Sequence, residues 1–245
     1  MDKNWKILQI KAAEYNLDLS DDQVNLFKEY WHFLDEYNKH TNLVSNTDQE
    51  IVIKKHFIDS LSIGLIKDQI GWDENKMIID IGVGGGFPSI PIIIANPNWT
   101  LYAVDSIGKK TKFIELLAQK LGLSERISVI NARAEDLAGD KSKRENFDIV
   151  VARAVSQLNT LSEYCLPFLK KNGYFISYKA RDVEIEVSQA KKAISLLGGE
   201  VINTISYDLP NEESVERNLI LIKKTKLTPA NFPRKAGIPK KTPLV

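Results

Sequence analysis

Apolar and polar positions follow one rhythm up to Lys76 and another beyond it. Trp5, Leu8, Ala12 and Tyr15 recur every three or four residues, the spacing of one helix face. Ser20 offers an N-cap, and Asp21 and Asp22 stand where the positive end of a helix dipole favours acids. Val24, Phe27, Tyr30, Trp31, Leu34 and Tyr37 carry the same period onward. A polar break covers His40–Gln49. Ile51, Ile58, Leu61, Ile63 and Leu65 predict a third helix that Gly71 ends.

From Lys76 the apolar residues come in short, dense runs: Met77–Ile81, Thr100–Val104, Ile127–Ile130, Phe147–Val151 and Tyr174–Tyr178. Such runs read as parallel strands buried on both faces. Amphipathic stretches separate them, notably Lys110–Lys120 and Leu158–Leu169, and a last helix covers about 183–197. The alternation predicts an α/β fold with a doubly wound, mostly parallel sheet of seven strands. Glu200–Tyr207 and Arg217–Lys224 have no helix between them and predict an antiparallel pair closing the sheet edge. Residues 1–75 form a helical N-terminal extension, 76–226 the α/β core and 227–245 a tail. Pro229, Pro233, Pro239 and Pro243 predict that the tail is extended rather than helical.

Composition removes several classes. Of 245 residues, 43% are hydrophobic, enough for a packed core. One cysteine, Cys165, permits neither an internal disulfide nor a CxxC metal site. No secretory leader is evident, and the apolar runs are too short to span a bilayer. A soluble cytoplasmic protein is expected. The net charge of +1 hides an asymmetry: residues 223–245 carry seven basic groups and no acid, so residues 1–222 have a net charge of −6. An acidic body with a basic tail suits a polyanion partner, or a tail that merely keeps the chain soluble.

The first strand stops in Asp80-Ile81-Gly82-Val83-Gly84-Gly85-Gly86-Phe87-Pro88. Glycines there let a ligand approach the backbone. The strict GxGxxG pattern fails at Phe87, and no Walker lysine follows. What fits is DxGxGxG. Asp105 ends the second strand, where it could accept hydrogen bonds from both ribose hydroxyls or start the next helix. Ala134 and Glu135 follow the third strand and Arg153 the fourth. Ligands of open α/β sheets lie at these carboxyl ends, so the four segments should converge on one nucleoside crevice. Arg153 has a plainer reading as a buried ion-pair partner.

These features resemble a class I S-adenosylmethionine-dependent methyltransferase. More narrowly, Asn42-Leu43, His56–Leu61, Gly82–Pro91 with Asp105-Ser106, Ala152–Val155 and the tail Phe232–Pro239 resemble the ribosomal RNA small subunit methyltransferase G family. Val83, Ser89 and Val44 depart from the family pattern. The resemblance implies methyl transfer to N7 of a guanine in the 530 loop of 16S rRNA. Its partner would be 16S rRNA or a small-subunit precursor. No membrane partner is expected, and the sequence leaves the oligomeric state open, with a monomer as the expectation. It also implies cofactor contacts at Gly82, Phe87, Ala134, Glu135 and Arg153, and Gly84 and Asp105 join them from the loop and strand readings.

Guanine N7 carries a lone pair and no proton, so attack needs alignment rather than a general base. Transfer leaves a positive charge on the base, which an acid or an aromatic face could steady; Asp80 and Phe87 are the candidates, and Arg153 is a further catalytic candidate. Cys165 reads as a buried helix position, not a nucleophile. Ala152–Val155 replaces the Asn/Asp-Pro-Pro-aromatic tetrad of exocyclic-amine enzymes. On the RNA side, His56 could line the groove, Lys179 and Arg181 could flank its mouth, and Arg234, Lys235, Lys240 and Lys241 could bind phosphates. Alternatives are another RNA or small-molecule acceptor, or a nucleotide sensor without chemistry.

Overall fold

Helix α1 (Lys3–Glu14) buries Trp5, Leu8 and Ala12, the face its spacing marks. Ser20 caps α2 (Asp21–Asn38) through a reciprocal pair. Its hydroxyl accepts from the Gln23 N–H at 3.2 Å, and the Gln23 side chain accepts the Ser20 N–H at 2.9 Å. The computed structural model describes residues 3–180, 183–210 and 216–244.

The third predicted helix is a composite. It runs through α3 (Gln49–Val52), a π-helical turn (Ile53–Ile58), α4 (Asp59–Leu61), a 3-10 stretch (Ser62–Ile66) and α5 (Lys67–Ile70). The 3-10 stretch lies where another segment closes in: a Cβ on Gly64 would stand 2.1 Å from the Tyr15 carbonyl oxygen. Gly71 ends the run with φ +64°, in the left-handed region glycine tolerates.

Strand β1 (Lys76–Ile81) leads through the glycine loop to α6 (Ser89–Ala95). Then come β2 (Trp99–Asp105), α7 (Gly108–Lys120), β3 (Ile127–Asn131), α8 (Ala134–Leu137), β4 (Phe147–Arg153) and α9 (Leu158–Cys165). Helix α9 stops earlier than its apolar pattern suggests, because Pro167 turns Leu166–Phe168 into a 3-10 turn and β5 (Leu169–Lys179) starts at once. Helix α10 (Val183–Leu196), β6 (Gly199–Tyr207) and β7 (Arg217–Lys224) complete the sheet. The tail is not wholly extended. Gly237, at φ +83°, precedes a short helix α11 (Ile238–Lys241), whose first turn accommodates Pro239 because its missing N–H would have no helical partner there.

The sheet order is β3-β2-β1-β4-β5-β7-β6. Strands β1 to β5 pair in parallel, while β7 runs antiparallel to both β5 and β6. The predicted antiparallel pair thus stands at this end of the sheet, with β6 outermost. Both faces are buried. Ile78, Ile149 and Val151 point into one core with Trp5, Phe27, Phe57 and Phe113, and Ile79, Val150 and Ala152 into a second with Leu158, Leu161 and Ile194. The order reverses between β1 and β4, the topological switch point where such sheets hold ligands.

Candidate active site

The glycine loop is pinned from two sides. Gly82 and Val83 donate to the Val104 carbonyl at 2.9 and 3.0 Å. From the helical segment, the buried Tyr30 hydroxyl donates to the Gly85 carbonyl at 2.5 Å. Gly86 has φ +99°, and a Cβ there would fall 2.4 Å from that hydroxyl. The loop can pack under Tyr30 only as glycine.

Asp105 serves the turn that leads into α7 and also braces the glycine loop. Its carboxylate accepts the Ile107 N–H at 2.9 Å, ahead of α7, and the Gly84 N–H at 3.1 Å. Lys110 stands 3.7 Å away. Beside it opens a cavity of about 420 Å³ lined by Gly82, Asp105, Ser106, Ala134, Glu135 and Tyr164, among others. The first three strand ends therefore converge as predicted. Gly84 lies beneath the carboxylate rather than on the cavity wall. Phe87 and Arg153 do not line this cavity either.

They form a second cluster. The Phe87 ring stacks on Tyr30 (5.3 Å between centroids) and on His56 (4.7 Å). The Arg153 guanidinium carbon sits 5.1 Å from its centre. Arg153 donates to Asp59 at 2.6 Å and to His56 Nδ1 at 3.2 Å. A guanidinium only donates, so Nδ1 accepts and the imidazole proton sits on Nε2. Burial first, and then the charges of Arg153, Arg217 and Lys55, push the His56 pKa down to about 3. His56 is thus a neutral ring. The other Asp59 oxygen accepts the Tyr207 hydroxyl at 2.7 Å. A small cavity of about 180 Å³ borders Asp59, Arg153, Tyr178 and Arg217. The ion-pair reading of Arg153 therefore holds, and the pair borders this smaller cavity rather than the 420 Å³ one. Sequence reasoning passed over Tyr30 and Asp59 as site residues. Asp59 follows His56 by three residues, the spacing of one helix face, which was the available signal.

Asp80 does not face the crevice as expected of a group near the reacting atoms. It is fully buried beneath the loop and lines neither cavity. Ser89 donates to one of its oxygens at 2.6 Å, and the other has no hydrogen-bond partner among the described residues. Burial raises its pKa to about 7, against the opposing pull of Ser89 and Arg153. Cys165 is buried in α9 as expected, and burial holds its thiol well above the ordinary range.

The basic candidates divide. Arg234 is not free for phosphate: it grips the fully buried Glu163, with Nη2 at 2.6 Å and Nε at 2.9 Å. Lys179 is also engaged, with Glu186 and the Ser156 carbonyl at 2.6 and 2.7 Å. Lys224, counted in the basic tail, is buried against the Leu166 carbonyl and Thr228, and burial lowers its pKa to about 8. Lys235, Lys240 and Lys241 are exposed, and Lys240 also borders the 420 Å³ cavity. Arg181 lies outside the described residues. Among those residues no helix is long and apolar enough to cross a membrane, and no acid, histidine or cysteine cluster suits a metal.

A seven-stranded sheet in this order, with a glycine loop and an acid at its first two strand ends, has the architecture of class I methyltransferases. The fold is similar to that of a SAM-dependent O-methyltransferase from Thermotoga maritima. The TM-score is 0.52 at 18% identity, over 80% of this chain and 72% of that one. The family model for rRNA small subunit methyltransferase G matches residues 23–219. Ribosomal RNA small subunit methyltransferase G of Lactococcus lactis subsp. cremoris (strain MG1363) is 44% identical over 235 residues, 95% of each chain. That of Listeria monocytogenes serovar 1/2a is 44% identical over 241 residues, 98% of this chain and 99% of its own. The chain belongs to the rRNA small subunit methyltransferase G family.

Proposed function

We propose that this protein transfers a methyl group from S-adenosylmethionine to small-subunit ribosomal RNA, at N7 of a guanine in the 530 loop of 16S rRNA. The observation that carries the reading is the convergence of the glycine loop, Asp105 and Ala134–Glu135 on one cavity in a chain of this family. The residues fit the cofactor. A carboxylate offers about four lone-pair positions, and two of those on Asp105 remain after the Gly84 and Ile107 N–H groups are counted, enough for two ribose hydroxyls. A side chain at Gly84 would meet no protein atom closer than 3.8 Å apart from its chain neighbours, so the protein itself does not crowd that side of the loop. Gly82, Ala134 and Glu135 would complete the nucleoside site, with Phe87 and Arg153 toward the acceptor.

The bound cofactor supplies an electrophilic methyl whose bond to sulfur breaks as the bond to the base forms. The chain has to align the acceptor and exclude water, and alignment of this kind lowers a barrier by roughly 7–11 kcal/mol. The local chemistry suits a nitrogen without a proton. His56 is held neutral, Arg153 is committed to Asp59, and Cys165 is buried. None of these is poised as a base or nucleophile. Lys235 and Lys241 remain available to RNA phosphates.

The test is transfer of labelled methyl to naked 16S rRNA, small subunits and free nucleosides, followed by mapping of the modified nucleotide. Label on a guanine N7 in the 530 loop is expected. Label at another base or another position would overturn the acceptor assignment. Tight cofactor binding with no transfer to any acceptor would favour a sensor.

A further inference from the structure

The tail does not hang free: it borders the nucleoside cavity through Lys240 and is anchored on both walls. Arg144 starts it by donating to the Thr228 and Phe232 carbonyls at 2.9 and 2.8 Å. Arg234 then pairs with Glu163 on α9. Three residues on, the Gly237 N–H donates to Glu135 at 2.9 Å, on the opposite wall. The chain returns to α9, where the Thr160 hydroxyl donates to the Pro239 carbonyl at 3.2 Å and Asn159 to the Leu244 carbonyl at 3.0 Å. Glu135 and Tyr164, one from each wall, both line the cavity, and so does Lys240 from the tail.

We propose that residues 227–244 form a wall of the cofactor site, with Lys240 as its lining residue, and that cofactor and strap hold each other in place. The inference rests on the function proposed above. A ligand between Glu135 and Tyr164 fixes the spacing of the two walls that the strap spans. The docked strap in turn keeps water from one side of the ligand. Lys240 has no carboxylate within ion-pair distance among the described residues, so its side chain is free to lie along a ligand. Exposure and positive charge suggest an RNA arm, whereas the geometry makes this segment part of the pocket floor plan.

Coupling of this kind is reciprocal: the factor by which the strap tightens the ligand equals the factor by which the ligand tightens the strap. Binding of S-adenosylhomocysteine, which has no methyl to transfer, is measured by calorimetry on the full chain and on a chain ending at Lys226. Trypsin cleavage at Lys235, Lys240 and Lys241 is timed on the full chain with and without saturating ligand, with cleavage at Lys39 as control. We expect truncation to weaken binding at least about tenfold, and ligand to slow strap cleavage by a similar factor while Lys39 is unaffected. Because truncation strips Glu163 of its partner and can unfold the chain, Thr160→Val serves as a second variant. It lines no part of the cavity, yet it should weaken binding about threefold by freeing the Pro239 carbonyl. Equal affinity in folded variants, or strap cleavage indifferent to ligand, would overturn the strap. Failure of the full chain to bind at all would instead overturn the proposed function, and the strap with it.

Discussion

Replacing Asp80 with asparagine should remove a specific pH dependence from the stability of this protein. The carboxyl is fully buried, and one oxygen has no hydrogen-bond partner among the described residues. Its pKa rises from the ordinary 3.8 to about 7 on folding. The folded state therefore keeps a proton that the unfolded chain releases once pH passes about 4. The stability this proton contributes is complete below pH 4, falls as pH rises toward 7 and is gone above it. The slope is about 1.4 kcal/mol per pH unit, and the whole window amounts to about 4 kcal/mol. Asparagine has no such proton. Its unsatisfied amide shifts stability by a constant, which drops out of a comparison across pH. Urea unfolding of both proteins from about pH 4.5 to 8.5 gives the difference curve. It should fall by several kcal/mol toward pH 7 and then level. A difference that stays flat within about 0.5 kcal/mol would show that Asp80 is ionised throughout and that burial does not control it.

Three other substitutions test the site and its supports. Arg153→Ala should reduce methyl transfer strongly, because it frees His56 and takes from Asp59 its ion-pair partner; normal turnover by a folded variant would contradict the role given to Arg153. Arg234→Ala removes the guanidinium from the buried Glu163 carboxylate and leaves it the backbone N–H of residue 234, and should cost about 3–5 kcal/mol, whereas a loss under about 1 kcal/mol in chemical denaturation would mean that water reaches Glu163. Tyr30→Phe leaves the buried Gly85 carbonyl without its donor and should cost about 1–3 kcal/mol, with weaker S-adenosylhomocysteine binding by calorimetry; unchanged binding would uncouple the loop from α2.

Strands β1, β2 and β4 were legible because a strand buried on both faces needs a dense apolar run, and the glycine cluster and Asp105 marked where two of the runs end. Three site segments met at one cavity because parallel strands put all their carboxyl ends on one side. The composite helix over residues 49–70 was not legible. Apolar spacing is nearly the same for neighbouring helix types, and the segment that packs against Gly64, at Tyr15, is far away in sequence. The tail was misread for a related reason. Glu163 sits within an apolar stretch, and its partner Arg234 is 71 residues further on, a pairing no local pattern announces. Counting charges treats each lysine alike, yet Lys224 is buried, Lys240 borders the cavity and Lys235 is exposed.

The hydroxyl of Tyr30 on the Gly85 carbonyl has a practical consequence for anyone wanting a smaller enzyme. A cut at Lys76 looks natural on a diagram, because everything after it makes a complete sheet. That fragment would lose the donor holding the glycine loop, two aromatic rings stacked on Phe87 and the acid that orients Arg153. The helical segment is thus no appendage that can be trimmed or exchanged with a homologue's at will. Grafts should take the first 75 residues and the glycine loop from the same parent.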